Sequence, residues 1–214
     1  MSRLVVFGCS NTEGQGLINP KEEVWGALLA QHLGRDLVNN AKQGASNKYI
    51  AHSINEFAFK PDDLVIIAWT YLNRSCVLRK SLRVKNEVVG TNLRVKNEVE
   101  GTNISATGAS TGFEESVCYF KYFYDDYDSN FTNGVFMDFS IDLLLSKEIE
   151  FKQIFIHPSE TPNLRHKNTN TFPFVFKDFY DNYPTAADNA HMGPEGNIVL
   201  ASEISKAING KYII

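Results

Sequence analysis

No stretch of apolar residues in the 214-residue chain is long enough to span a bilayer, which predicts no membrane partner. Cysteine is scarce: Cys9, Cys76 and Cys118 are odd in number, scattered and without metal-ligand spacing. That pattern excludes a disulfide framework and a zinc module, predicts no metal, and suits a reducing compartment. Basic residues are outnumbered, 21 Lys and Arg against 25 Asp and Glu, for a net charge of −4. Nucleic acid is therefore not an expected partner, because it would want a basic stripe. Met1-Ser2-Arg3 leads straight into a strand-like segment, with no apolar region followed by a small-residue cleavage site. A cytoplasmic location is expected on that ground, and Asn-x-Ser/Thr sites such as Asn103 and Asn130 then carry no glycosylation meaning.

What remains is ordinary in composition, 43% hydrophobic and 21% charged, and long enough to bury a core as one domain over 1–214. Leu4 to Phe7 reads as a buried strand ended by Gly8. Asn19-Pro20-Lys21-Glu22-Glu23 is a helix start, Val24, Trp25, Leu28, Leu29 and Leu33 form its apolar stripe, and Gly34 ends it. Asp36 to Asn39 is a short second strand. Ser46 caps a second helix with Tyr49, Ile50, Ile54, Phe57 and Ala58 inward, and Leu64 to Trp69 is a third, fully apolar strand. Such alternation predicts a mainly parallel sheet with helices on both faces.

Further along, Phe113 to Asp128 is helical in period, Val135 to Glu150 reads as a longer helix, and Phe151 to His157 as the fourth strand. Asp125, Asp126 and Asp128 read as a solvated helix end rather than a cation site. Ser159 to Ala187 looks irregular and aromatic. Gly196 to Ile208 is an amphipathic helix with Ile198, Leu200, Ala201, Ile204 and Ile208 inward.

The chemistry sits at the two ends. Gly8-Cys9-Ser10-Asn11-Thr12-Glu13-Gly14 places a serine on a sharp turn after a buried strand, and Asp188 and His191 stand three residues apart near the other end. Serine is a poor nucleophile until a base takes its proton. His191 suits that task when Asp188 holds its other ring nitrogen. Oxyanion donors are expected from successive strand ends: the Ser10 and Gly44 backbone N–H groups and the Asn73 side chain, with Thr70 as the substitute for Asn73. Phosphate binding is disfavoured, since neither Gly-x-x-x-x-Gly-Lys nor Gly-x-Gly-x-x-Gly follows the first strand. His157 and His166 read as loop residues and Cys9 as packing. Trp69 and Tyr71 suit core packing at least as well as a substrate platform.

These blocks resemble those of the SGNH (GDSL-like) hydrolases. Gly8 to Gly14 is similar to the family's Gly-Asp-Ser-x-Thr-x-Gly, Asn39-x-Ala41-x-x-Gly44 to its Asn-x-Gly-x-x-Gly, and Asp188-x-x-His191 to its last block. The resemblance implies a three-layer α/β/α, flavodoxin-like fold and a Ser10–His191–Asp188 triad. It implies an oxyanion hole of Ser10, Gly44 and Asn73, no cofactor, and an ester substrate that is a small molecule or a glycan. Carbohydrate O-deacetylation is the favoured activity. A catalytically weak binding or virion-associated protein and an acyltransferase are the rivals. Cys9 stands where the motif has Asp and Ala41 where it has Gly. The third block, usually Gly-x-Asn-Asp, is Ala68-Trp69-Thr70-Tyr71-Leu72-Asn73-Arg74. Gly-Cys-Ser, Gly-Ala-Ser-Asn and Trp-Thr look like variants often met in bacteriophage genomes. Oligomeric state has no sequence signal.

An insertion is expected at about 74–112, because Leu82–Asn92 recurs as Leu93–Asn103 with Val89 and Glu100 as the only difference. Each copy alternates like a short strand and closes in Gly-Thr-Asn. A hairpin lid or oligomer contact is one reading; a duplication tolerated in a surface excursion is the favoured one. Deleting Leu82–Asn92 is accordingly expected to leave the thermal midpoint and activity within error of the parent. Loss of either would give the repeat a structural or functional role.

Overall fold

The computed structural model describes residues 2–84, 95–104, 125–160, 164–166 and 169–210, without side chains for 77–84, 95–104 and 160. Four parallel strands form the central sheet: β1 (Arg3–Phe7), β2 (Asp36–Asn39), β3 (Leu64–Trp69) and, last in the chain, β6 (Glu150–Phe155). Their spatial order is β2-β1-β3-β6. Leu4 lies beside Leu37 on one side and Leu64 on the other. The chain leaves β1 toward one edge and returns on the other side, so the carboxyl end of β1 lies at the point where the connection reverses. Open α/β sheets place their crevice there.

Alternate residues of each strand feed two cores. Leu4, Val6, Leu64, Ile66 and Ile154 pack with α3 (Trp25–Leu33) and the C-terminal α7 (Pro194–Ile208). Val5, Phe7, Val65, Ile67 and Phe155 pack with α4 (Asn47–Glu56) and α5 (Asp126–Ser146) on the opposite face. Every β3 residue is buried. That is why β3 reads as a continuous apolar run rather than an alternating one, each such side chain contributing about 1.5–3 kcal/mol. The architecture is the expected α/β/α one.

Local signals explain most boundaries. Ser46 Oγ accepts from the Tyr49 N–H at 3.3 Å and starts α4, and Gly34, at φ +63°, stops α3. Asp125 accepts from the Asp128 N–H at 3.0 Å and starts α5 ahead of the expected Val135, so the acidic run is a helix cap. The expected helix over 113–128 lies outside the described residues up to 124.

Four expectations are corrected. Phe57 and Ala58, expected on the inward face of the second helix, lie beyond its end at Glu56, and Ala58 is exposed. The helix from Pro20 is two helices, α2 (Pro20–Glu23) and α3, broken at extended Val24 because the Trp25 N–H donates to Asn197 Oδ1, 2.8 Å away. Ile198 is 54% exposed; Asn197 takes the inward position. The irregular stretch contains α6 (Lys177–Asp181). Cys9 is buried in packing, as is Trp69, whose Nε1 donates to Gln153 Oε1 at 2.9 Å.

Within the 74–112 region, β4 (Ser75–Val84) and β5 (Val95–Ile104) form an antiparallel hairpin. Val84 pairs with Val95, which are the third residues of the two repeat copies. The rest of the first copy lies outside the described residues.

Arg3 fastens the bottom of the sheet. Its guanidinium grips Asp63 at 2.8 and 2.6 Å, with the Asp63 side chain only 1% exposed. Burial pushes the Asp63 carboxyl up, but the Arg3 hydrogen bond, the Lys60 N–H and the Arg3 charge outweigh it and hold it below its ordinary value. A carboxyl lowered in the folded state stabilises above its unfolded pKa, about 3.9, and loses that contribution as pH falls through the folded value. Asp63→Asn is expected to lower urea stability at pH 7 by on the order of 1–3 kcal/mol. The difference from wild type should shrink below pH of about 4; a gap independent of pH would contradict this account.

Candidate active site

Ser10 is the first residue of α1 (Ser10–Glu13), immediately beyond β1. Gly8 is required here: a Cβ on it would fall 2.3 Å from Thr12 Oγ1 and 3.1 Å from the Ala68 Cβ. The turn is closed by Thr12 and Glu13 N–H groups donating to Cys9 O, both at 3.0 Å. Ser10 is thereby held nearly buried, 5% exposed, at the carboxyl end of the sheet.

Asp188 organises the loop before α7. Its Oδ1 accepts from the Ala190 and His191 N–H groups at 3.0 and 3.1 Å, and its Oδ2 lies 2.6 Å from His191 Nδ1. The Ala190 N–H first, then the His191 ring, keep the Asp188 carboxyl below its ordinary value. The pair is thus an ionised carboxylate fixing one imidazole nitrogen, which leaves Nε2 as the nitrogen with which the ring meets other groups. Tyr180 braces the same loop by donating its hydroxyl to Ala190 O at 3.0 Å.

Two asparagines and a glycine bring this loop to Ser10. Asn11 Oδ1 accepts from the Met192 N–H at 3.0 Å, joining α1 to a residue 181 positions away. Buried Asn197 donates to Met192 O and Gly193 O at 3.0 and 2.9 Å while accepting from Trp25 N–H. Gly16, at φ +84°, lies so close to Asp188 that a Cβ there would sit 2.7 Å from Oδ2. None of the three was singled out by the sequence: Gly16 lies beyond the Gly8–Gly14 motif, and both asparagines act through long-range backbone bonds that no spacing reveals.

Ser10 and His191 line one cavity of about 250 Å³. Its other walls come from the end of β3 (Tyr71, Arg74), from Ile156 after β6, and from α6 with Lys177 and Asp181. Neither Gly44 nor Asn73 is among the lining residues. Gly44, at φ +70°, belongs to the β2 loop on the opposite side of β1, tied to it by the Lys42 N–H donating to Gly8 O at 3.2 Å. Asn73 lies between two residues that do line the cavity. Thr70 is fully buried and its backbone is bonded on both sides to Asn47, at 3.0 and 2.9 Å.

The other histidines lie elsewhere. His157 Nδ1 is 2.6 Å from Ser159 Oγ, and His166 Nε2 is 2.9 Å from Asp142 Oδ1. A larger cavity, about 410 Å³, lies between α4 and α5 with mainly apolar walls and neither Ser10 nor His191 among them. Among the described residues no cluster of three His, Cys, Asp or Glu side chains is placed to hold a metal ion, and no helix is long and apolar enough to cross a membrane.

Gly16→Ala is expected to destabilise the protein by about 1–3 kcal/mol through backbone strain and collision with Asp188, measured by urea unfolding. A neutral substitution would show that the Gly16–Asp188 approach is not a constraint.

No protein-family model matches the chain, and no curated protein matches it. Solved structures do. A G-D-S-L family protein from Desulfitobacterium hafniense DCB-2 superposes with a TM-score of 0.56 at 12% identity, covering 95% of this chain and 98% of its own. The psychrotrophic esterase EstA from Pseudoalteromonas sp. gives 0.53 at 11%, covering 98% and 97%. A carbohydrate esterase described as having divergent catalytic and non-catalytic binding functions gives 0.55 at 12%, covering 97% of this chain and 65% of that one. At such identities the likeness is one of fold, and the fold is that of the SGNH (GDSL-like) hydrolases.

Proposed function

We propose that the chain is one SGNH-type domain, with the β4–β5 hairpin as its insertion, and that it is a serine esterase removing a short acyl group from a carbohydrate or small ester. The observation that carries this reading is the His191–Asp188 pair, 2.6 Å apart, on the same cavity as Ser10. Ser10 Oγ attacks the ester carbonyl while His191 Nε2 takes its proton, and Asp188 stabilises the imidazolium through Nδ1–H. His191 then returns the proton to the leaving alcohol. Water, activated by the same histidine, attacks the acyl-serine, and Ser10 is regenerated with release of the acid.

The tetrahedral oxyanion needs donors at fixed positions. The Ser10 N–H, at the start of a helix where such groups lack an intrahelical acceptor, is the first. Gly44 N–H and the Asn73 amide, in the loops after β2 and β3, are the proposed others. A cavity this small, with two phenol rings and several charged groups, favours a short acyl group over a fatty chain.

A second reading has a specific observation behind it: Gly44 and Asn73 are not on the cavity wall. A weakly catalytic or non-catalytic glycan-binding protein of the same fold would tolerate that, and the neighbour with non-catalytic binding functions is a precedent. Acyl transfer to a sugar would use the same three residues and differ only in the acceptor.

The decisive experiment is turnover of p-nitrophenyl acetate and acetylated glycans by wild type and Ser10→Ala, with products analysed in the presence of sugar acceptors. Ser10→Ala is expected to lose about a thousandfold or more. Equal rates in both proteins would remove the nucleophile, and binding without turnover in both would establish the second reading.

A further inference from the structure

The cavity wall carries two fixed cations, Arg74 and Lys177, against one carboxylate, Asp181. Arg74 Nη1 donates to Thr70 Oγ1 at 3.1 Å, and the guanidinium carbon lies 5.1 Å from the Tyr71 ring centroid. Thr70 is itself immobilised by Asn47 from within the core. The guanidinium is thus held by a hydrogen bond and a cation–π contact. Among the described residues, most of its five donors remain for another partner. Among the described residues no carboxylate pairs with it.

Across the cavity Lys177 and Asp181 are 3.7 Å apart, both about half exposed, so their charges largely cancel in a weak solvated pair. These three groups leave one net positive charge on the wall, on the planar donor; the opposing Asp188 carboxylate lies behind the His191 ring and does not line the cavity. A planar fork of N–H groups matches a carboxylate in geometry and charge, which a neutral hydroxyl cannot do.

We propose that this cavity selects esters that carry a carboxylate, and that Arg74 is the residue that reads it. The substrate class is an O-acylated acidic sugar or a half-ester of a dicarboxylic acid; both present a carboxylate beside the ester. The inference rests on the serine-esterase reading for the place of the ester, while anion recognition itself needs no turnover.

The test separates the two. Calorimetry on the Ser10→Ala protein compares methyl O-acetyl-glucuronide with methyl O-acetyl-glucoside, ligands differing only in a carboxylate against a hydroxymethyl group. The acid is expected to bind about tenfold or more tightly, and adding R74Q should abolish the preference while the melting temperature stays unchanged. R74K, which keeps the charge but not the fork, should fall between. On the otherwise wild-type enzyme, the ratio of kcat/KM for each charged ester to that for its neutral partner should drop by a similar factor in R74Q. Running the acetylated sugars beside 4-nitrophenyl adipate and its methyl ester tells whether the charge belongs to the alcohol or the acyl side. Equal binding of the acid and the neutral sugar, or a preference that survives R74Q, overturns the proposal. Arg74-dependent binding in a protein that turns over no ester sustains it and removes the esterase reading instead.

Discussion

The site depends on a clasp between the two ends of the chain. Met192 N–H on Asn11 and Trp25 N–H on Asn197 each span more than 170 residues, and between them they fix the loop that carries Asp188 and His191 against the turn that carries Ser10. A loop ordered only by its own contacts would leave the imidazole free to wander, at a large loss in effective concentration. Here backbone amides are used as anchors, so the loop is held without recruiting the Ser10 hydroxyl or the His191 ring. Asp188 itself serves twice, folding its own turn through Oδ1 and holding the imidazole through Oδ2. Its lowered pKa is the electrostatic trace of that double use.

The sheet supplies the rigid floor. With β1 and β3 buried on both faces, the turns beyond them start from strands that cannot shift independently. The connection reverses between β1 and β3, which opens the crevice on the β1–β3–β6 side. That geometry explains why Tyr71, Arg74 and Ile156 join Ser10 in the cavity wall while the β2 loop with Gly44 stays outside it. It also explains the character of the cavity: strand ends contribute polar and charged loop residues, whereas the apolar groove lies between helices α4 and α5.

Elements governed by local chemistry were legible in the sequence. Asp36–Asn39 and Leu64–Trp69 stand where their patterns put them, Ser46 caps its helix and Gly34 ends another. The first and last motif blocks pointed to Ser10, Asp188 and His191, and the structure brings Ser10 and His191 to one cavity with Asp188 behind the ring. Features set by distant partners were not legible. Val24 breaks a continuous apolar stripe because Asn197 captures the next N–H. The same bond turns α7 so that a polar residue, not Ile198, faces inward. Lys177 and Asp181 reach the cavity from a short helix inside a stretch with no periodicity to read. Arg74 had only its position after β3 to recommend it.

The central claim is that Ser10 is an activated nucleophile whose reactivity depends on His191. Treating the protein with a fluorophosphonate and mapping the adduct by peptide mass spectrometry tests this most directly. The account predicts one phosphonyl group, on Ser10, in wild type, and labelling slowed by orders of magnitude in His191→Ala. An unmodified Ser10, an adduct on another residue, or equal labelling in both proteins would contradict it.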